Sequence, residues 1–276
     1  MKRRLMKLSN IFSRRNRILL AELVRTDFKL RYQASALGYL WSILNPLLLF
    51  TILYIVFDRF LGIGRGIEHF AVYLLLGIVL WRFFVEATNN GLKAIVARGS
   101  LIRKINFPRY IIVISGTISS LINLLINMGV VFVFILINGV ELSWAALFII
   151  PLIIELYVFA LAIAFLLSAV NVKFRDISYL WDVFIQAAFY ATPIIYPLTL
   201  VLTQSQLAAQ ILVLNPVAQV IQDARQVLVT DDSLTMWELF SNNMAYTLIP
   251  FAIIGLVGLI AAVYFKKSAK RFAEFV

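Results

Sequence analysis

Cysteine is absent from the 276 residues, which excludes disulfide staples and thiolate metal sites. The single histidine, His69, stands beside Glu68 at the mouth of an apolar run and reads as a solvated interface residue rather than part of a metal or acid–base cluster. Charged residues make up only 14% of the chain, against roughly a quarter in soluble domains. No phosphate loop of the form GxxxxGK[ST] occurs, and the GIGRG at 62–66 follows no strand and precedes no Lys-Ser/Thr pair, so it reads as a turn. There is likewise no HExxH helix and no serine nucleophile motif. These absences argue against metal chemistry, against ATP held by this chain in the usual way, and against an enzyme acting alone. The basic N-terminus lacks an adjoining apolar core and a small-residue cleavage site, so no cleaved signal peptide is expected.

What the chain has in excess is apolar surface. At 62% hydrophobic residues and a mean hydropathy of +0.91 it reads as an all-α polytopic membrane protein. Six segments are long enough for a hydrocarbon core of about 30 Å: residues 38–57, 70–90, 111–137, 147–170, 179–197 and 246–265. The net charge of +11 would suggest nucleic acid in a soluble protein, but here it sorts by loop. Of the 25 Lys and Arg residues, 21 lie in the N-terminal region, the 91–110 loop, the 171–178 loop and the C-terminal tail. The opposite loops hold only Arg59, Arg65 and Arg225, beside seven acids. An excess of positive charge on cytoplasmic loops then predicts six spans with both termini in the cytoplasm of a plasma-membrane protein, and no nucleic-acid partner.

Three stretches are patterned beyond what loops require. Residues 91–110 carry Lys93, Arg98, Arg103, Lys104 and Arg109 with no acid, yet keep helix-compatible apolar residues at Leu92, Ile95, Val96, Leu101, Ile102 and Ile105, as a segment gripped by a cytoplasmic partner would. Residues 1–35 form a basic tail and an amphipathic helix from Ile18, suited to the headgroup plane, in which Asp27 and Arg31 are spaced to pair. That helix is either a basic anchor on anionic lipid or a docking and lipid-admitting element. Residues 198–245 are apolar but broken at Asn215-Pro216, where proline removes a helical hydrogen bond and disfavours helix in the residue before it. Two short re-entrant or interfacial helices are expected there, closing a pathway, with a passive surface hairpin as the alternative.

Four ionisable residues fall within the expected spans: Arg82, Glu86, Glu155 and Asp182. Arg82 and Glu86 share a helical face and can neutralise each other; Glu155 has no local partner. Aromatic side chains are abundant. Tyr39, Trp41, Trp81, Trp181 and Tyr196 fit an interfacial belt, while Tyr54, Phe57, Phe83, Phe84, Phe189 and Tyr190 are candidates for the wall of a conduit in which flat rings let sugars slide.

The runs RTDFKLRYQASALGYLWSILNPLLLF from Arg25, LLLGIVLWRFF from Leu74, SLIRKINFPRYI from Ser100, SAVNVKFRDISYLW from Ser168, ATPIIYPL from Ala191 and LNPVAQVIQDARQVL from Leu214 together resemble the ABC-2 type permeases that export cell-surface polysaccharides such as O-antigen, teichoic acid and rhamnose polymers. The likeness is strongest to Gram-positive rhamnose-polysaccharide exporters, and it does not fix the sugar. The resemblance implies a six-span transmembrane domain over 36–276 that pairs with a second copy and with two copies of an ATP-binding subunit, which holds the ATP and Mg²⁺. It implies a coupling helix at 98–108, with Arg98, Leu101, Arg103, Lys104, Phe107 and Pro108, and a second contact at 171–176, with Lys173, Arg175 and Asp176. The interface helix matches 18–32, and Leu37-Gly38 matches a turn leading into span one. The implied substrate is a glycan on an undecaprenyl phosphate or pyrophosphate carrier, whose anionic head a basic interface around Arg25, Lys29 and Arg31 can steer. Arg82 stands where many relatives carry an uncharged polar residue, so the resemblance gives it no role; phosphate or sugar contact and pairing with Glu86 both stay open. A gradient-driven transporter or flippase using Glu155 and Asp182 is the alternative to the whole reading.

Overall fold

The computed structural model describes residues 13–31, 37–38, 40–105, 107–241 and 243–272. The first twelve residues of the basic tail, Tyr32 of the interface helix and Asn106 of the coupling segment lie outside them. Among the described residues all regular structure is helix, without strands, and helix bonds the polar backbone within each segment, as lipid requires.

Helix α3 (Phe70–Ala97) is the mast of the fold. It is apolar nearly all round, and 78% of its most apolar window is buried, against 28% or less for the other long helices. A helix apolar on every face belongs inside a bundle. Around it pack α5 (Tyr110–Ile137), α6 (Ile149–Lys173), α2 (Leu40–Tyr54, continued as π-helix to Phe60) and α10 (Pro216–Leu228); α13 (Ile249–Ser268) lies against α6. Close approach comes from small residues: a Cβ added at Gly91 would sit 2.3 Å from the Cβ of Ala164. On α5 the buried hydroxyls of Ser115, Thr117, Ser119 and Ser120 donate to carbonyls three or four residues back, so polar side chains cross the interior satisfied.

Among the described residues, five helices are long and apolar enough to cross a membrane: Leu40–Phe60, Phe70–Ala97, Tyr110–Ile137, Trp144–Lys173 and Met244–Ser268. The stretch expected as a further span, residues 179–197, is not one continuous helix. Helix α7 (Ile177–Ala191) has 15 residues, or about 22 Å of rise, short of the hydrocarbon core. It stops because Pro193 disfavours helix at Thr192, whose ψ is 136°. The chain then runs irregularly to Pro197 before α8 (Leu198–Gln204) and α9 (Gln206–Val213). The expected break at Asn215-Pro216 is present: Asn215 is extended, its side chain accepts from the N–H of Val217 at 3.1 Å, and Pro216 opens α10. Helix α10 does not lie on the surface. Its apolar face, with Val217, Val220, Ile221 and Ala224, is buried against α3 and α6.

The irregular chain after α7 is held by Arg225. This residue lies on the apolar stripe of α10, four residues after Ile221, and is 0% exposed. Its Nε donates to the carbonyl of Tyr73 (3.1 Å), Nη1 to that of Pro193 (2.7 Å) and Nη2 to that of Ile194 (2.6 Å). The guanidinium also stacks on the Tyr73 ring at 3.5 Å. One side chain therefore ties α10, the first half of α3 and the end of α7 together. A Cβ at Gly77 would come within 2.6 Å of Arg225 Nη2, so the site needs glycine on the facing turn.

Two outcomes follow for thermal unfolding of the purified protein. Arg225→Lys leaves at least one carbonyl without a donor and should cost about 1–3 kcal/mol, with Gly77→Ala shifting stability in the same direction. Gly91→Ala should cost about 1–3 kcal/mol by overpacking, whereas Gly129→Ala, which meets nothing within 4 Å, should be neutral or slightly stabilising. Equal melting of all four variants and the parent would remove the packing account.

Candidate functional site

At one end of the bundle the basic loops share a small core. Ile102 of α4 (Gly99–Lys104), Ile112 and Val113 of α5, Val172 of α6, Phe265 of α13 and Phe272 just beyond it form one buried cluster, with Phe107 packed against it. The 98–108 and 171–176 segments are thereby held on the same face of the protein. The helix expected over 98–108 is shorter: α4 has six residues, closed by extended Ile105 ahead of Pro108. On it Arg103, Lys104 and Ile105 are exposed, while Leu101, Phe107 and Pro108 are half-buried. In the second loop Lys173, Phe174, Arg175 and Asp176 are exposed, with the Lys173 ammonium 4.8 Å from the Phe174 ring centroid. Asn171 instead is buried; it donates to the carbonyl of Leu92 at 3.0 Å and accepts from Ser178 at 3.0 Å, bracing this loop against α3.

Arg98, expected on the partner-facing surface, is half-buried. Its guanidinium turns inward, pairing with Asp27 of α1 (Arg14–Arg31) and donating to Ser115 Oγ at 2.9 Å. Asp27 accordingly meets Arg98 across the fold, while the side chain of Arg31, spaced along the helix to pair with it, lies outside the described residues. Tertiary packing decides this, because α1 lies along α5 and brings its half-buried face, Leu19, Leu20, Leu23, Val24 and Asp27, onto the bundle. Arg25 and Lys29 remain exposed on the opposite side. Leu37 is exposed, and Gly38 takes φ +48°, a left-handed turn just before α2 that glycine adopts without strain. The exposed apolar residues of the basic end, Ile105 and Phe174, were not singled out as site residues; their signal is an apolar side chain within KINFP and KFRD, where solvated loops have no use for one.

Mid-bundle, two open cavities of about 430 and 650 Å³ meet at Arg82 and Glu86. The first lies between α2, α3 and α5, with Trp41, Phe83 and Asn127 on its wall; the second lies between α3 and α7, with Asn89, Gln186, Phe189 and Tyr190. Arg82 Nη1 donates to Asn45 Oδ1 at 2.8 Å, and Asn123 Nδ2 donates to Glu86 Oε2 at 2.7 Å. Each charged group is thus held by an amide from a neighbouring helix, which orients it toward open space. Of the conduit candidates, Arg82, Phe83, Phe189 and Tyr190 line these cavities. Phe84 does not: it is buried and stacked on Phe159 at 5.6 Å, so it belongs to the core. Tyr54 stacks with Phe70 at 6.2 Å and Phe57 packs half-buried against the same core, because α2 lies against α3 there. Asp182 is exposed on α7, away from Glu155, which sits on the wall of a third cavity near the far end of α6.

This arrangement, a basic face with two presented loops and a polar groove crossing an apolar bundle, suits a translocation subunit rather than a self-contained enzyme. Comparison with known proteins agrees. The chain is 30% identical over 259 residues, covering 94% of itself and 95% of the relative, to an O-antigen export system permease protein RfbA of Klebsiella pneumoniae. It is 32% identical over 202 residues, 72% of this chain and 75% of the relative, to a protein of the same name from Myxococcus xanthus. Residues 19–229 match the ABC-2 type transporter family, and a match over most of the chain, with relatives aligned nearly end to end, places this multi-pass membrane protein in that family.

Proposed function

We propose that this chain is the permease subunit of an ABC exporter that moves a lipid-linked cell-surface polysaccharide, of O-antigen or a related teichoic acid or rhamnan type, out across the plasma membrane. The observation that carries the reading is the end-to-end similarity to O-antigen export permeases, on a fold that presents two loops from one face. Two copies pair, and each engages one of two ATP-binding subunits, which bind ATP and Mg²⁺ and do the hydrolysis. The contact is made by Arg103, Lys104 and Ile105 of α4 with Lys173, Phe174 and Arg175 beyond α6, where cationic heads surround two exposed apolar anchors. Asn171 and the cluster beneath α4 pass a push on either loop to α3.

The positive face is cytoplasmic, and α1 lies at that leaflet with Arg25 and Lys29 toward the anionic carrier head, an undecaprenyl phosphate or pyrophosphate. The glycan then passes the groove at Arg82 and Glu86, where amides and rings offer hydrogen bonds to hydroxyls and flat surfaces to sugar faces. Helix α7 completes a sixth crossing together with the irregular segment that Arg225 holds. A gradient-driven mechanism draws on one observation, the placement of Glu155 beside Asp223. It requires transport by the chain without its partner, and loss of that transport in Glu155→Gln.

Two measurements test the coupling assignment. Phe174→Ala combined with Arg103→Glu and Lys104→Glu should abolish co-purification of the ATP-binding subunit while leaving membrane insertion intact; undiminished co-purification would overturn the assignment. Arg98→Ala should instead lower thermal stability by about 1–3 kcal/mol, as loss of a half-buried charge-assisted contact does, with the partner still bound.

A further inference from the structure

Near the ends of α6 and α13 opposite the basic loops lies a cavity of about 590 Å³ that no step above uses. Its walls carry Glu155 of α6, Gln219 and Asp223 of α10, and Trp237 and Glu238 of α11 (Met236–Leu239), with Phe251 of α13 at its side. In a chain of net charge +11, this cavity gathers three carboxylates and no Lys, Arg or His. Arg225, two residues beyond Asp223, is committed to the carbonyls of Tyr73, Pro193 and Ile194 and is spent elsewhere.

The polar groups here are short of donors. Gln219, 4% exposed, gives its Nε2 to Asp223 Oδ2 at 2.6 Å, while its Oε1 and the Glu155 Oε1 are buried with no partner. Glu238 uses Oε2 to accept from the N–H of Thr235 in a capping box. Burial lifts the Asp223 carboxyl to about 6, opposed by the Gln219 hydrogen bond and aided by the nearby Glu238 charge. A cavity so built is complementary to a cationic, donor-rich guest. Among the described residues no three acidic or imidazole groups converge closely enough to hold a metal ion. The guest is therefore a group that spreads its donors over more space than a bare cation, and the indole of half-exposed Trp237 offers it a π face.

We propose that this cavity is a binding site for a primary ammonium group, supplied by the aminated headgroup of a lipid in the leaflet at that end of the bundle. The headgroup is favoured over a soluble amine because the cavity is flanked by Phe148 and Phe251, both more than half exposed at the ends of α6 and α13, where acyl chains would continue from the headgroup.

The test uses the full chain in nanodiscs of phosphatidylethanolamine with phosphatidylglycerol, or of phosphatidylglycerol alone, with co-retained lipid counted by native mass spectrometry and stability read by thermal unfolding. The ethanolamine lipid should be retained and should raise the melting temperature. Asp223→Asn or Glu238→Gln should weaken that retention about tenfold, as loss of one charge-assisted partner does. Both variants preserve shape, and glutamine still serves the capping box, so their melting in phosphatidylglycerol alone should match the parent. Equal stabilisation by free ethanolamine in phosphatidylglycerol nanodiscs would overturn the lipid source. Stabilisation by Mg²⁺ or Ca²⁺ with none by either amine, or retention unchanged in both variants, would overturn the ammonium site itself.

Discussion

Backbone that leaves the helix inside a hydrocarbon phase must find hydrogen-bond partners within the protein, since each orphaned group costs several kcal/mol there. This chain breaks its helices on purpose, at Thr192-Pro193 and at Asn215-Pro216, and the first break is kept by one buried guanidinium. Arg225 is suited to the task because its planar fork offers several donors at fixed spacing, which an ammonium does not. Its three carbonyl acceptors come from two different elements, so the clamp sets how α7, α10 and α3 meet. Gly77 on the facing turn is the cost of that fit in sequence space.

The clamp acquires a functional meaning through α3. The same uninterrupted 28-residue helix that carries Tyr73 and Gly77 near one end reaches Ala97 at the other, one residue before α4 begins its run of basic residues. Between these ends it presents Arg82 and Glu86 to the polar groove. A displacement at the basic face and a rearrangement at the broken segment therefore share one rigid element, with the groove between them. The Asp27–Arg98 pair adds α1 to the same unit, tying it to the segment that leads into α4.

Much of this was legible in the residues alone. Apolar runs and Pro positions located five long helices and the Asn215-Pro216 break, because composition and proline geometry act locally. The sixth run is only partly helix, since counting apolar residues across 179–197 gives no weight to Thr192-Pro193, which ends α7 after 15 residues. Charge partners were the least legible. The Asp27–Arg98 pair joins residues 71 apart in the chain, and no local spacing points to it; the packing of α1 on α5 makes it. Phe84 and Phe83 are adjacent in sequence and both buried and stacked, Phe84 on Phe159 and Phe83 on Tyr157, yet only Phe83 reaches a cavity wall, a difference of about 100° around α3 that the neighbours' positions decide. Arg225 had a readable signal, a cation on the apolar stripe of an otherwise amphipathic helix, and it was read only as a loop charge.

The most direct test of the account is transport in proteoliposomes that contain this chain, its ATP-binding partner and a lipid-linked glycan, with no ion gradient. Movement of the glycan to the opposite leaflet that requires both proteins and hydrolysable ATP is the predicted result. Movement by this chain alone, driven by a proton or sodium gradient and indifferent to ATP, would contradict it.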